Sequence, residues 1–225
     1  MIYFWYALLM IGAYLVGNIS FAIILSNAKK NDITKLGSGN PGTMNMLRNF
    51  GFKTGVLTLL LDATKGAVPA LIGMLLLGEY GLFIAGFAVV LGHIYPVFRK
   101  FKGGKGVACG LGVFLVVNPL LTLLFFVIAV VYLYFFDYGA IASFIIITAM
   151  TVIEAMNHYG DLIVSICLFG IFFVIFFSHR ANFTRMLVGK ENKANLKKAL
   201  NSLSEKKSHK EKKVDKKIEK QREIG

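Results

Sequence analysis

The amino-acid sequence is built from long apolar runs separated by short polar breaks, a pattern that leaves few options outside a lipid bilayer. Seven runs can be marked, at roughly residues 2–25, 54–78, 80–98, 105–118, 119–136, 139–157 and 161–178. Most approach the ~20 residues that cross ~30 Å of hydrocarbon as a helix. With 56% hydrophobic residues, 16% charged residues and a mean hydropathy of +0.65, the chain has too little polar surface to solvate a soluble domain of this length. The expected fold is all-α, a polytopic membrane bundle of about seven transmembrane helices. The fourth run is short, so it and the fifth could form a compressed hairpin, and a five-span arrangement is the alternative. The N-terminal run opens on Ile2-Tyr3-Phe4-Trp5-Tyr6 with no basic stretch before it and no small-residue cleavage site after it, and reads as an uncleaved first span with an interfacial aromatic belt. Cys109 and Cys167 both fall in apolar runs and make no disulfide framework.

Lysine and arginine fix an orientation. Lys29, Lys30, Lys35, Arg48 and Lys53 occupy the first break, Arg99, Lys100, Lys102 and Lys105 the third, and the sequence after Arg180 is basic throughout. The alternate breaks near Glu79, Asn118 and His158 carry no Lys or Arg. Because basic loops stay in the cytoplasm, the expectation is N-terminus out and C-terminus in. The chain divides into a membrane domain over 1–195 and a Lys-rich cytoplasmic tail over 196–225. With 11 basic and 5 acidic residues, the tail is expected to be disordered or loosely held by anionic headgroups. It has no aromatic platform for nucleic acid.

Three segments on the basic side carry candidate chemistry. In the first loop, Gly37-Ser38-Gly39-Asn40-Pro41-Gly42 is followed by Asn45 and Arg48. Glycines free the backbone to aim N–H groups at an anion, Ser38, Asn40 and Asn45 add donors, and Arg48 offers a fork matched to phosphate oxygens. In the third break, His93 is followed by Gly103-Gly104-Lys105-Gly106 at the start of an apolar helix, where unpaired N–H groups and the positive helix end favour an anion. Arg99 and Lys100 are expected to serve only as topological anchors. After the last run, His179, Asn182 and Arg185 share one face of a continuing helix, and Glu191 follows as an acceptor for neighbouring cations. Asp62 and Lys65, three apart in an apolar run, can pair, and ionisable groups inside a membrane default to function. No Ser-His-Asp arrangement and no metal-ligand cluster can be assembled. A site at one membrane face for an anion with several oxygens, or for two of them, follows, and a small-anion transporter would also suit these residues.

At these residues the chain resembles the bacterial membrane acyl-phosphate:glycerol-3-phosphate acyltransferase family (PlsY-type). Gly37 to Arg48, Gly92 to Ala108 and His179 to Glu191 are similar to its three motifs, and Tyr14 to Asn18 and Asp62 to Gly66 fit as well. Where the family usually has Thr, this chain has Met44 and Cys109; it has Met186 for Leu and Ser20 for a frequent Pro. The resemblance implies transfer of a fatty acyl group from acyl phosphate to the 1-hydroxyl of sn-glycerol 3-phosphate, giving lysophosphatidic acid and inorganic phosphate without a cofactor. It assigns activity to Ser38, Arg48, Lys105, His179 and Asn182. Glycerol 3-phosphate binding falls to Gly103, Gly104 and Gly106, and a mainly structural part to Glu191. Gly37, Gly39, Asn40, Gly42, Asn45, Asp62, Lys65, His93 and Arg185 complete the candidate substrate-binding set. An acyl phosphate needs no protein nucleophile, and its departing phosphate can take the hydroxyl proton. Membrane lipid is the other expected partner, the expected place is the bacterial inner membrane, and the expected state is a monomer.

The charge pattern sets a topology test. In a Cys-less background, single cysteines at Asn31, Lys102 and Asn195 should resist an impermeant thiol reagent in intact cells, whereas cysteines at Glu79 and Tyr159 should label. Labelling at Lys102 from outside would overturn the orientation.

Overall fold

Backbone N–H and C=O groups have no partner in hydrocarbon, so a chain this apolar must bond them within helices. The structure, a computed structural model, describes residues 1–204, and among them all regular structure is helical. The helices are α1 (Ile2–Gly17), α2 (Phe21–Ala28), α3 (Thr43–Phe50), α4 (Phe52–Ile94), α5 (Val107–Val117), α6 (Pro119–Phe136), α7 (Gly139–Asn157), α8 (Leu162–Ser178) and α9 (Arg180–Leu187). Four stretches are long and apolar enough to cross a membrane: Ile2–Ala28, Phe52–Arg99, Pro119–Phe136 and Gly139–Asn157. Leu162–Ser178 with Arg180–Leu187, bent by 48°, makes a fifth.

The second of these stretches is a hairpin. Gly78 at φ 68°, ψ −155° breaks α4. The limbs on either side run antiparallel, with Gly73 packed on Gly81 near the apex and Asp62 3.9 Å from His93 further down. The break expected near Glu79 is thus made at Gly78 alone. α1 lies along the second limb, where Gly17 meets the backbone of Val89 and Gly92, and Tyr14 donates its hydroxyl to the Tyr95 carbonyl at 2.7 Å.

The first run is not one continuous helix. It breaks at Asn18–Ser20 and resumes as α2. Carbonyls freed by such a break cost about 1–3 kcal/mol each when buried and unpaired. Lys65 answers them: its ammonium donates to the carbonyls of Ile19 and Gly17 (3.4 Å) and pairs with Asp62 at 3.0 Å.

α5 is only 11 residues, about 16 Å long, and it starts inside the bundle. Gly66 and Gly112 let it touch the first limb of α4 backbone to backbone, at Cys109 and Ala63 respectively. The loop before it is drawn in behind, with Gly103 and Gly104 donating to the carbonyls of Ile94 and His93, each at 3.1 Å. Asn118 caps α6 and bonds the buried Glu154 of α7 at 3.3 Å. His158 joins this end to the α4 hairpin through Glu79 at 2.8 Å.

Past α9 the backbone returns to the bundle. Ala194 donates to the Asp137 carbonyl and Leu196 to its carboxylate, Leu196 is buried, and residues 196–204 are helical. The boundary drawn at 195 therefore falls within a docked segment, and the expected disorder over 205–225 lies outside the described residues.

Close approach of α4 and α5 is testable. A methyl added at Gly66 or Gly112 would sit 2.0 Å or 1.8 Å from a backbone carbonyl oxygen, whereas one at Gly12 meets nothing within 4 Å. Gly66→Ala and Gly112→Ala should each cost at least ~1–3 kcal/mol, read as a lowered Tm in detergent or loss of folded protein. Gly12→Ala should stay within about 0.5 kcal/mol. Equal stability of all three would refute the contact.

Candidate active site

The three motif segments meet at one end of the bundle around two cavities of about 500 Å³ and 510 Å³. The first is largely apolar. It runs from Leu59 and Leu60 of α4 past Phe126 and Val130 of α6 to Ala142 and Ile146 of α7, with Asp62, His93 and His179 on its walls. The second is polar and basic, lined by Thr34, Gly39, Arg99, Lys102, Gly103 and Ser178 among others. Ser38, Asn40, Lys105, Asn182 and Arg185 line both.

Each shared residue is positioned by a definite local cause. Gly37 (φ +55°) and Gly39 (φ +69°) adopt backbone that L-residues avoid, turning the chain so that Ser38 stands exposed between the cavities. Asn45, expected to donate to a ligand, is instead the post this loop is tied to. Its amide donates to the carbonyls of Ile33 (3.2 Å) and Leu36 (2.9 Å), and its oxygen accepts from the Ser38 N–H at 3.2 Å. Lys105 projects from the drawn-in loop and donates to Asn182 Oδ1. Asn182 in turn donates to Glu191 Oε1 at 2.6 Å, and Arg185 Nε pairs with Glu191 Oε2 at 2.9 Å. Burial pushes the Lys105 amine down to about 8, against the pull of Glu191.

Other candidates are engaged differently from expectation. Arg48 spends Nε on the Lys193 carbonyl (2.7 Å) and Nη2 on the Asn192 carbonyl (2.9 Å), pinning the segment that carries Glu191 over the first cavity. Gly103 and Gly104, expected to offer free N–H groups, have theirs bonded to Ile94 and His93. Their smallness lets the loop lie on the helix end, since a methyl on Gly104 would fall 2.2 Å from His93 Nε2. Gly106 (φ +83°) starts α5 and lines the first cavity beside Val107 and Ala108. Gly42 lines it too. Gly37, Lys65 and Gly104 line neither cavity. The continuous helix expected across His179 is bent there, yet Asn182 and Arg185 still reach the site. The His179 ring is buried against Phe144, and its Nδ1–H donates to the Ile175 carbonyl at 2.8 Å, which leaves Nε2 as the acceptor of the neutral ring. Motif spacing did not single out Thr43, whose hydroxyl is buried in the wall of the first cavity without a partner among the described residues, or Arg99 in the second.

A family profile described as glycerol-3-phosphate acyltransferase matches residues 7–189. The chain belongs to that family. It is 40% identical over 184 residues to the glycerol-3-phosphate acyltransferase of Thermoanaerobacter pseudethanolicus, covering 80% of this chain and 91% of that one. With the Aquifex aeolicus enzyme of the same name it shares 38% over 188 residues, 82% of this chain and 97% of the other. The crystal structure of PlsY (YgiH), described as an integral membrane glycerol 3-phosphate acyltransferase in its glycerol 3-phosphate form, superimposes with a TM-score of 0.77 at 37% identity. It covers 84% of this chain and 94% of the other. The lysophosphatidic acid form of that protein gives a TM-score of 0.75. The acyltransferase is thus a multi-pass membrane protein whose motif segments surround a two-chambered site.

Lys105 gives this site a pH signature. An ammonium that grips an anion loses its charge as pH rises through about 8, so kcat/KM for glycerol 3-phosphate, which reports free-enzyme groups, should fall above that pH. In Lys105→Arg the alkaline limb should vanish up to about pH 10, because guanidinium keeps its proton. A limb unchanged by the substitution would assign it to another group.

Proposed function

We propose that the protein transfers a fatty acyl group from acyl phosphate to the 1-hydroxyl of sn-glycerol 3-phosphate, releasing lysophosphatidic acid and inorganic phosphate. The observation that carries this reading is the pairing of an apolar chamber with a basic one across the shared edge of Ser38, Asn40, Lys105, Asn182 and Arg185. A donor that is half hydrocarbon and half phosphate suits the first chamber, and a compact polar phosphate suits the second. Their reactive ends would meet at the edge, where alignment alone contributes much of the rate.

In this mechanism the acceptor hydroxyl oxygen attacks the acyl carbonyl carbon, the bond from that carbon to the phosphate oxygen breaks, and the departing phosphate takes the hydroxyl proton. Ser38 and the charged Lys105 amine are proposed to stabilise negative charge at the edge, with Asn182 and Glu191 aiming Lys105. Arg48 acts by holding the 191–193 backbone in place, and by its charge. His179 Nε2 and His93 flank the donor chamber, but neither is needed as the base while the phosphate can serve. A monomer is the proposed functional state. The Lys/Arg pattern supports seven spans in the bacterial inner membrane, N-terminus out and C-terminus in, with α5 as a short span and the site opening to the cytoplasm.

The donor decides the reading. A thioester leaves without a phosphate to accept the proton, and the loops here are too short to fold a surface for a nucleotide-bearing carrier. Purified protein given glycerol 3-phosphate and, in turn, palmitoyl phosphate, palmitoyl-CoA and an acyl-carrier-protein thioester should form lysophosphatidic acid with the first alone. Robust turnover with either thioester, or none with acyl phosphate in folded protein, would sink it.

A further inference from the structure

Arg99 sits in the wall of the basic cavity with hydrogen-bonding capacity unspent. Its Nη2 donates to the Lys102 carbonyl at 2.9 Å, while Nε and Nη1 are buried and have no partner among the described residues. A buried charged donor left unpaired is costly, so the position calls for an acceptor. No carboxylate lines this cavity: Asp62, whose charge reaches Arg99, lies 3.0 Å from Lys65 and lines the apolar chamber instead. The other cations of the cavity are differently committed. Lys105 holds Asn182, Arg185 holds Glu191, and Lys102 is exposed to water.

The loop that presents Arg99 is rigid. Arg99 ends a single 3₁₀ turn, Val97–Arg99. Lys100 (φ 51°) and Phe101 (φ 59°) then take left-handed backbone, which is strained for such residues. Bonds from Phe101 to the Pro96 carbonyl (2.9 Å), from Gly103 to Ile94 and from Gly104 to His93 hold the reversal, and the Phe98 N–H reaches Asn18 Oδ1 at 3.4 Å. Strain over-determined in this way is the usual mark of a group that must be held for a ligand.

We propose that Arg99 anchors the phosphate of the acceptor, glycerol 3-phosphate, in the basic cavity and so points its hydroxyl end at the Ser38–Lys105 edge. The assignment rests on the reading that the acceptor occupies this chamber. Two phosphate groups take part in the reaction, the acceptor's and the donor's, which leaves as the inorganic ion, and either would suit a guanidinium. Arg99 is assigned the acceptor's because it lines the basic chamber and not the apolar one, where the donor's chain must lie.

The test varies each substrate in turn against wild type and Arg99→Gln in detergent. KM for glycerol 3-phosphate should rise at least tenfold, about 1.4 kcal/mol, while kcat and KM for palmitoyl phosphate change less than twofold. An unchanged KM for glycerol 3-phosphate overturns the assignment, as does a rise confined to palmitoyl phosphate, which would give Arg99 to the donor. If Arg99→Gln does not fold, Arg99→Lys takes its place. A several-fold rise in KM for glycerol 3-phosphate is then expected, because a point charge replaces a planar fork, and a wild-type value overturns the assignment. Protection of the wild type from thermal unfolding by glycerol 3-phosphate, weakened in the variant, separates the two proposals. If protection behaves so but acyl phosphate is not a donor, the reaction is wrong and the Arg99 site stands. If the wild type is neither protected nor active, both fall.

Discussion

Everything at the candidate-site end of this protein depends on how closely α5 approaches α4. Between helices in lipid, burying apolar surface gains nothing, because hydrocarbon lies on either side, and association rests on packing and polar contacts. Gly66 and Gly112 let two backbones touch, and that contact is too tight to slide. Being short, α5 cannot span the bundle from a surface loop, so the loop follows it inward. Lys105 is desolvated as a result, and the basic chamber opens beside the apolar one instead of lying flat on the membrane face.

A second theme is the number of charged groups engaged with backbone. Lys65 satisfies carbonyls exposed by the break between α1 and α2, and Arg48 grips the carbonyls of Asn192 and Lys193. Inside a bilayer an uncapped carbonyl is as serious a fault as an unpaired charge, and one such ammonium repairs several at once. The division of labour is then clear. Lys65, on the scaffold side, has its ammonium bonded on all sides, whereas Arg99, in a chamber wall, keeps two donors in reserve.

Much of this was legible in the sequence, and the exceptions share a cause. Apolar runs and their breaks marked the helices to within a few residues, because lipid demands long apolar stretches and turns need Gly, Asn, Pro or Asp. The three glycine-rich or His/Asn-bearing segments were correctly expected to meet at one end. The break at Asn18–Ser20 was hidden, since that stretch is nearly as apolar as its neighbours and its tolerance comes from a lysine on another helix. Asn45 looked like a ligand donor because an amide in a glycine-rich loop has no visible partner until the fold brings Ile33 and Leu36 against it. Gly103 and Gly104 suggested free N–H groups for the same reason. Arg99 went the other way: in a run of cations it passed for a topological anchor, and only its burial distinguishes it from Lys100.

The grip of Arg48 on the 192–193 backbone has an evolutionary side. A carbonyl oxygen is present whatever side chain the residue carries, so the partners of this arginine are specified by chain path and not by residue type. Asn192 and Lys193 can drift without loosening the bond, while Arg48 cannot. Such a contact would leave no correlated pair between relatives, so methods that infer proximity from co-variation would pass over the clasp at the first chamber.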